Sequence, residues 1–168
     1  MGLIWKDYDP GNMGYIEDWL DGAAVRSTGL DEGFRAFYGY WANEDGFLPG
    51  ENYWCKVVCR DGEPVAVVAF CEHEGKVIIM ELVVAPEKRG RGLGTKLLKE
   101  LLGDAPPMGF VIDKSEAVIF PDNTASQKAF EKAGFHYHHI HEDGDALYYV
   151  YEKGSDDGNL EKRGTDHA

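Results

Sequence analysis

A glycine-rich turn between an apolar segment and an amphipathic one constrains this chain more than any other feature. Residues 77–84 form an aliphatic run that only Glu81 interrupts, which predicts a strand buried on both faces. After the turn, leucines recur at helical spacing and predict a helix that begins inside it. Gly90, Gly92 and Gly94 would let the backbone approach a ligand and present its N–H groups at the positive end of the helix dipole. The segment therefore predicts a phosphate-binding turn.

Two common phosphate-binding loops do not fit this turn. A Walker A loop places Lys directly after its last Gly, whereas Thr95 stands between Gly94 and Lys96. A dinucleotide-binding fingerprint reads G-x-G-x-x-G, whereas this turn reads G-x-G-x-G. The turn instead matches Q/R-x-x-G-x-G/A, with Arg89, Gly92 and Gly94 at the fixed positions. That pattern resembles the acetyl-CoA signature of the GNAT family of N-acetyltransferases.

A second segment carries the same resemblance. A short apolar run at 117–120 predicts a strand, after which Asp122 or Asn123 caps a helix and Gly134 ends it. The residues from 123 to 135 fit N-x-x-A/S-x-x-L/A-Y/F-E-K-x-G-F, about 30 residues after the first pattern. This resembles the second signature of the family, in which the Asn and the following helix line the pantetheine arm of the cofactor. Two motifs in the family's order and spacing support each other.

The predicted elements alternate in the order of the same family. Strands are expected at 3–8, 53–60, 65–71, 76–85, 117–120, 135–141 and 146–152, and helices near 16–23, 30–41, 93–102 and 124–133. The resemblance implies an α/β GNAT fold, a mixed and mostly antiparallel sheet of about seven strands flanked by about four helices. Strands 4 and 5 would splay apart where the cofactor enters. We expect an acetyltransferase domain at 1–152, a Gly- and Pro-rich loop at 46–52 and a disordered polar tail at 153–168.

The resemblance also implies acetyl-CoA as the cosubstrate. Backbone N–H groups from Arg89 to Thr95 would hold the pyrophosphate, with Arg89 and Arg91 as ionic partners. The N–H of Leu82 would polarise the thioester carbonyl, and Val84 would pair with the pantetheine amides. The predicted cofactor-binding residues are Leu82, Val83, Val84, Arg89, Gly90, Arg91, Gly92, Leu93, Gly94, Thr95, Asn123, Ser126 and Phe130.

Direct transfer of acetyl to an amine requires a neutral amine, and an alkyl amine with a pKa near ~10.4 is almost wholly protonated at neutral pH. Glu81 is the candidate base, or the anchor for a second ammonium, because it is the sole charge in its strand. It could equally be a residue at the splayed edge that faces water or pairs with a base. Glu72 and His73 are weaker candidates, expected in the turn that follows their strand.

The departing thiolate needs a proton, and this chain departs from its relatives there. Many relatives use a Tyr at the position of Phe130, which cannot donate. Ser126, Tyr149 or solvent could supply the proton instead. Ser126 could also be simply the small residue that leaves room for the pantetheine. The predicted catalytic residues are therefore Glu81, Ser126 and Tyr149.

Histidines and cysteines invite a metal site, but their spacing does not favour one. In a regular strand His136 and His138 would share one face and His139 and His141 the other, so no three converge. The three cysteines, at positions 55, 59 and 71, lack paired C-x-x-C spacing and read as buried thiols. We predict no metal.

Charge points to the class of acceptor. The formal charge of the 168 residues is -13, and residues 1–75 hold fourteen acids against five bases. Such a surface would attract a cationic acceptor and repel nucleic acid. Residues 92–97 and this acidic half resemble the aminoglycoside 6'-N-acetyltransferase branch of the family. We predict transfer to a primary amine of a small cationic, aminoglycoside- or polyamine-like molecule; a protein N-terminal or lysine acetyltransferase and a non-catalytic acyl-CoA-binding module are the alternatives.

The sequence also predicts the cellular location of the protein, because it lacks membrane-spanning and signal segments. No segment is long and apolar enough to cross a bilayer, and no basic flank precedes an apolar core at the N-terminus. We expect a cytoplasmic monomer or homodimer that does not bind membranes.

Overall fold

A computed structural model describes residues 2–42, 52–142 and 144–154 of the chain. The strands are β1 Ile4–Asp7, β2 Tyr53–Arg60, β3 Glu63–His73, β4 Lys76–Val84, β5 Lys114–Ile119, β6 His136–Ile140 and β7 Leu147–Glu152. The helices are α1 Gly22–Thr28, α2 Phe34–Ala42, α3 Leu93–Leu102 and α4 Thr124–Lys132, with short 3-10 helices at Gly14–Trp19 and Pro86–Lys88. The strands form one sheet in the order β1-β2-β3-β4-β5-β7-β6, so the predicted α/β fold is confirmed.

Two apolar layers cover the two faces of this sheet. On one face, α3 and α4 pack through leucines and Phe130 against alternate residues of β3, β4 and β5. On the other face, the first 3-10 helix and α2 pack through Ile16, Trp19 and Phe34 against Val57, Val67 and Val83. Residues 65–70 of β3 are buried throughout because they are covered on both faces, which explains their unbroken aliphatic sequence.

The sheet opens between β4 and β5. These strands pair in parallel only at residues 77–79 of β4 and 115–117 of β5. On the other side of β4, Ile79 pairs with Phe70 and Glu81 pairs with Ala69, so Met80 is an extra residue. Such a bulge bends the strand. The two strands therefore separate from Met80 onward, which confirms the predicted splay.

Several predicted elements differ from the structure. The helix expected near 16–23 is two elements, because Asp21 caps a new helix by accepting a hydrogen bond from the Ala24 N–H at 2.8 Å. β5 begins at Lys114 rather than 117, since Ser115 is buried and donates to the Val77 carbonyl at 2.7 Å. Glu72 and His73 lie at the end of β3, and Glu74–Gly75 forms the turn.

Other expectations fall largely outside the described part of the chain. The loop predicted at 46–52 is described only at Asn52, and the polar tail predicted at 153–168 only at Lys153 and Gly154. Within the described ranges, no helix has the length and apolar character needed to cross a membrane.

Candidate active site

Two adjoining cavities occupy the opening between β4 and β5. The larger cavity, about 440 Å³, runs between the glycine turn and α4. The smaller cavity, about 200 Å³, lies between the separated parts of β4 and β5. Four residues line both cavities: Thr28, Leu82, Asn123 and Ser126. The junction of the two cavities is therefore the place where a ligand in one can meet a ligand in the other.

The glycine turn presents unoccupied backbone donors to the larger cavity. Gly90 and Gly92 have φ angles of +74° and +75°, and a Cβ on either would meet no atom within 4 Å. Outside the helix ladder, the N–H groups from Gly90 to Thr95 donate to no acceptor among the described residues. α3 also lacks a side-chain cap at its start. These features together fit the binding of a pyrophosphate.

Gly94 has a different role from the two glycines before it. A Cβ at this position would lie 3.6 Å from the Cβ of Ala129 and 4.0 Å from Cδ2 of Leu82. Both are ordinary van der Waals distances, so an Ala would fit at this position, whereas a larger side chain would meet α4 and β4. α4 starts at Asn123, whose Oδ1 accepts a hydrogen bond from the Ser126 N–H at 3.2 Å. Asn123 thus fixes the start of α4, which forms the wall of the larger cavity opposite the glycine turn.

The guanidinium of Arg89 forms three hydrogen bonds within the protein. Its Nε donates to the Val84 carbonyl at 3.0 Å, and its Nη2 donates to the Trp19 carbonyl at 2.8 Å. Nη1 donates to Asp21 Oδ2 at 2.9 Å, which lowers the pKa of Asp21 together with the Ala24 N–H that the same carboxylate accepts. The side chain therefore joins the end of β4 to the start of α1. Its ionic role toward the pyrophosphate stays a prediction.

The backbone of β4 points alternate N–H groups into the opening. The Ala85 N–H donates to the Val65 carbonyl at 2.8 Å on the β3 side. Antiparallel pairing alternates, so the N–H groups of Val83 and Glu81 also point toward β3, while those of Leu82 and Val84 point away from it. The Val84 carbonyl accepts from Arg89 on that same side. Leu82 and Val84 thus offer backbone donors to the cavities.

Glu81 lies in the smaller cavity and faces away from α3 and α4. Its pairing partner Ala69 belongs to the layer under α2, and residues paired across an antiparallel sheet share a face. It is the sole ionisable side chain among the described residues that line this cavity. Burial raises the pKa of its carboxyl well above the usual range, and no described residue gives it a hydrogen bond or an ion pair.

Family comparison agrees with this geometry. The acetyltransferase (GNAT) family profile matches residues 15–135, which include the glycine turn, the opened strands and α4. The chain belongs to the acetyltransferase (GNAT) family. The family uses acetyl-CoA as its cosubstrate, and the larger cavity fits a ligand that carries a pyrophosphate.

Similar proteins come from several branches of that family. The chain is 33% identical over 110 residues to an L-2,4-diaminobutyric acid acetyltransferase of Nocardia farcinica, covering 64% of this chain and 53% of that one. It spans about half the length of the curated relatives it matches. The aminoglycoside acetyltransferase AAC(6')-Ib, in complex with acetyl-CoA, has a TM-score of 0.69 at 22% identity, covering 91% of this chain and 94% of that one. Spermidine N-acetyltransferase from Vibrio cholerae has a TM-score of 0.67 at 15% identity, covering 90% and 95%.

Most of the predicted cofactor-binding residues of this GNAT protein line the larger cavity. Arg91 is exposed and lines neither cavity, and Phe130 lines only the smaller one, where its ring packs edge-on against Phe135 at 5.0 Å. Sequence reasoning missed Thr28 at the junction and the lysines at 128 and 132 in the larger cavity. The lysines lie four residues apart on α4, a spacing that could have shown them to share a face.

The two candidates for the general acid lie in different places. Ser126 lines both cavities, next to Leu82 and Glu81 in the lining of the smaller one. Tyr149 lines neither cavity, because its ring is buried in the layer under α4. Its hydroxyl donates to Glu131 at 3.1 Å, and burial raises its pKa, with a further increase from Glu131. The structure therefore brings Ser126 to the site and leaves Tyr149 apart.

His136, His138 and His139 lie on β6 and His141 follows it, and a bulge in this strand alters the expected alternation. Tyr137 pairs with Tyr149 and His139 pairs with Tyr148, so His138 is the extra residue. The Nδ1 atoms of His138 and His139 are 2.7 Å apart, and the His139 ring stacks on Tyr148 at 4.5 Å. Within the described ranges, no group of three or more possible ligands could hold a metal ion. The cysteines are buried, and burial raises the pKa of Cys55 to about 12.

Proposed function

We propose that this acetyltransferase moves the acetyl group of acetyl-CoA to a primary amine of a small cationic molecule by direct attack in a ternary complex. The observation that carries the proposal is the position of Glu81. It is the one ionisable side chain among the described residues of the smaller cavity, and it directly precedes Leu82, which lines both cavities. An amine in the smaller cavity would meet a base and a backbone donor together.

The larger cavity holds the cosubstrate in this proposal. The N–H groups from Gly90 to Thr95 bind the pyrophosphate, and the Val84 N–H holds the pantetheine arm in line with β4. When bound, acetyl-CoA supplies an activated acetyl group as a thioester. The Leu82 N–H donates to the carbonyl oxygen and stabilises the negative charge that develops there. Asn123 orients α4 so that Ser126 leaves room for the sulfur.

Glu81 is the proton acceptor in the smaller cavity in this proposal. An ammonium must lose its proton before it can attack, and a carboxylate whose pKa is raised by burial is a better base than an exposed one. The carboxylate must itself be ionised to accept that proton. The rate should therefore fall as the pH drops through the pKa of Glu81. Ser126 or solvent returns a proton to the departing thiolate.

The acceptor class is supported by chemistry shared among the similar proteins. Diaminobutyric acid, aminoglycosides and spermidine each carry two or more amino groups. In this chain the Glu81 carboxylate in the smaller cavity could pair with a second ammonium of such an acceptor.

Only part of the acidic charge is available for attracting the acceptor. Glu17 caps α2 by accepting hydrogen bonds from the N–H groups of Phe34 and Arg35. Asp21 caps α1 and pairs with Arg89. Asp31 and Glu32 are exposed just before α2, and they form no ion pair among the described residues. Electrostatic attraction of a cationic acceptor is therefore assigned to this exposed pair.

Release of free CoA on a panel of amines tests the proposal. The panel holds diaminobutyric acid, spermidine, an aminoglycoside, a monoamine and a peptide with a free N-terminus. Turnover should be highest on the small polyamines. Turnover on the peptide alone would favour a protein acetyltransferase, and binding of acetyl-CoA without turnover on any amine would favour a binding module. A cytoplasmic location and a monomer or homodimer remain predictions.

A further inference from the structure

The larger cavity is cationic in a chain that is strongly acidic. Among the residues that the structure describes, its lining contains Lys88, Arg89, Lys128 and Lys132 and no acidic residue, although the formal charge of the chain is -13. Two of these cations are already paired. Lys88 Nζ lies 3.5 Å from Glu63 Oε2, and Arg89 Nη1 lies 2.9 Å from Asp21 Oδ2. The positive charge left for a ligand is therefore on α4.

Lys128 and Lys132 carry that remaining charge. Both are exposed, and neither forms an ion pair with any carboxylate in the described part of the chain. They are four residues apart on one helix, so their side chains leave the same face with Cβ atoms about 6 Å apart. From this spacing, two long flexible side chains can bring their ammonium groups to a single phosphate monoester.

The order of residues along α4 places this pair at one end of the larger cavity. Ser126 lies at the junction with the smaller cavity, and Ala129 faces Gly94 of the pyrophosphate turn. Lys132 lies one further turn along, about 9 Å beyond Ser126 at a rise of ~1.5 Å per residue. A CoA molecule that has its sulfur at the junction and its pyrophosphate at the turn must carry its ribose beyond that turn, on the side of Lys132.

We propose that Lys128 and Lys132 form a binding site for the 3'-phosphate of CoA, separate from the backbone site for the pyrophosphate. This rests on the proposed use of acetyl-CoA. The two sites differ in their chemistry, since the turn offers N–H groups in a fixed geometry while α4 offers mobile charges. The lysine pair therefore distinguishes CoA from dephospho-CoA, which has the same pyrophosphate and lacks the monoester.

Binding measured by calorimetry tests this site without reference to turnover. The ligands are CoA, dephospho-CoA and adenosine 3',5'-bisphosphate, each titrated into the wild type and into the double variant Lys128→Gln/Lys132→Gln. The wild type should bind CoA about tenfold more tightly than dephospho-CoA, and the double variant should bind both equally. Its affinity for dephospho-CoA should stay within about twofold of the wild type. Affinity for the bisphosphate should fall about tenfold.

Matched variants separate this site from a general effect of charge. Lys99→Gln/Lys114→Gln removes the same charge from exposed lysines that line neither cavity, and it should keep the preference for CoA. Lys128→Arg/Lys132→Arg should keep it as well. Equal weakening of CoA and dephospho-CoA by the Lys128/Lys132 variant would overturn the proposed site. Failure of the folded wild type to bind either ligand would overturn the proposed function itself.

Discussion

The two cavities share four lining residues and are built in opposite ways. The larger cavity presents the backbone of the glycine turn to one face of α4, with further lining from α1 and β4. The smaller cavity is lined by residues of α1, β4, β5, α4 and the segment before α4, most of them apolar, around the one carboxylate among its described lining residues. An anion can be held by N–H groups whatever side chains accompany them, whereas proton transfer needs one particular side chain in a dry place. The larger cavity should therefore be sensitive to conformation and the smaller cavity to charge.

Gly92→Val should cause the largest effect, because it changes the conformation of the turn. The residue has a φ of +75°, which a β-branched side chain rarely adopts, and its side chain would enter the cavity. The wild type should gain about 2.7 kcal/mol from acetyl-CoA at a hundredfold excess over Kd, seen as a rise in Tm. The variant should show no rise, and pantetheine should give little rise even in the wild type.

Gly62→Val is the matched control for that substitution. Gly62 has a φ of +80° in the turn between β2 and β3, and it also has open space around it. Both variants should lose about 1–3 kcal/mol of stability from backbone strain. Only Gly92→Val should lose the response to acetyl-CoA. An undiminished response in that variant would show that the turn does not hold the pyrophosphate.

Glu81→Gln tests the smaller cavity by removing charge without changing shape. Turnover should fall about 10²-fold, in the lower range for loss of a general base, while the Kd for acetyl-CoA stays nearly constant. Higher pH should partly restore turnover if the role is proton removal, because more of the amine is then neutral. A role as an anchor for a second ammonium would instead raise the KM of the acceptor.

Glu72→Gln provides the comparison for this variant. Glu72 lies on the neighbouring strand β3 and lines neither cavity, so its loss should leave turnover within about twofold. If Glu81→Gln keeps full turnover on every accepted amine, Glu81 is not the base. The expectation that the smaller cavity depends on this charge would then be wrong.

Arg89→Gln distinguishes two roles for one residue of the turn. As the structure has it, the guanidinium joins Val84, Trp19 and Asp21, so its loss should lower the Tm of the free protein by several degrees. The Kd for CoA should rise less than about tenfold. An ionic partner of the pyrophosphate would behave in the opposite way, with weaker CoA binding and an unchanged Tm. Lys88→Gln, which breaks a looser pair at 3.5 Å, should change the Tm less.

The difference between local patterns and contacts that are distant in the chain explains what the sequence could predict. The turn, the strand before it and the helix after it are local, so glycine spacing and leucine periodicity were enough to find them. The lysines of α4 were equally local and were missed. The contacts of Arg89 could not be predicted, because two of its three partners, the Trp19 carbonyl and the Asp21 carboxylate, lie about 70 residues away in the chain.

In the smaller cavity, Glu81 stands out from the sequence alone as a charge in an apolar run, whereas Leu82, Asn123, Ser126 and Phe130 were predicted through the family resemblance. Thr28 gives no such signal, because it is an ordinary residue at the end of α1 whose hydroxyl bonds back to the Ala24 carbonyl at 2.7 Å. Tyr149 was assigned to the site from its type and strand. Successive side chains of a strand point to opposite faces of the sheet, so Tyr149 and its neighbour Tyr148 lie on different faces. Which face each of them takes could not be determined before the pairing of β7 with β5 was known.

The pH dependence of stability gives a smaller effect that also concerns Glu81. Its pKa is raised in the folded chain, so the folded state keeps a proton over a pH range in which the unfolded state has lost it. Stability should fall as pH rises from the ordinary carboxyl pKa of 4.5 to the raised pKa, and remain lower above it. Glu81→Gln should therefore have a higher Tm than the wild type at pH ~8, with the difference vanishing near pH ~4. Equal differences at both pH values would mean that the carboxyl is not buried.

Salt should produce the smallest effect, and it should act on the two cavities differently. Attraction between a cationic acceptor and the exposed acids before α2 acts over a distance and is screened within about 8 Å at physiological ionic strength. The KM of the acceptor should therefore rise several-fold between low and high salt. The KM of acetyl-CoA should respond less, because only the exposed lysines of α4 hold it through screened charge, while the turn binds it through short contacts with N–H groups. Asp31→Asn/Glu32→Gln should flatten the response for the acceptor and leave that for acetyl-CoA unchanged. A flat response in the wild type would show that the acidic surface serves solubility, and the acceptor would then be selected inside the smaller cavity alone.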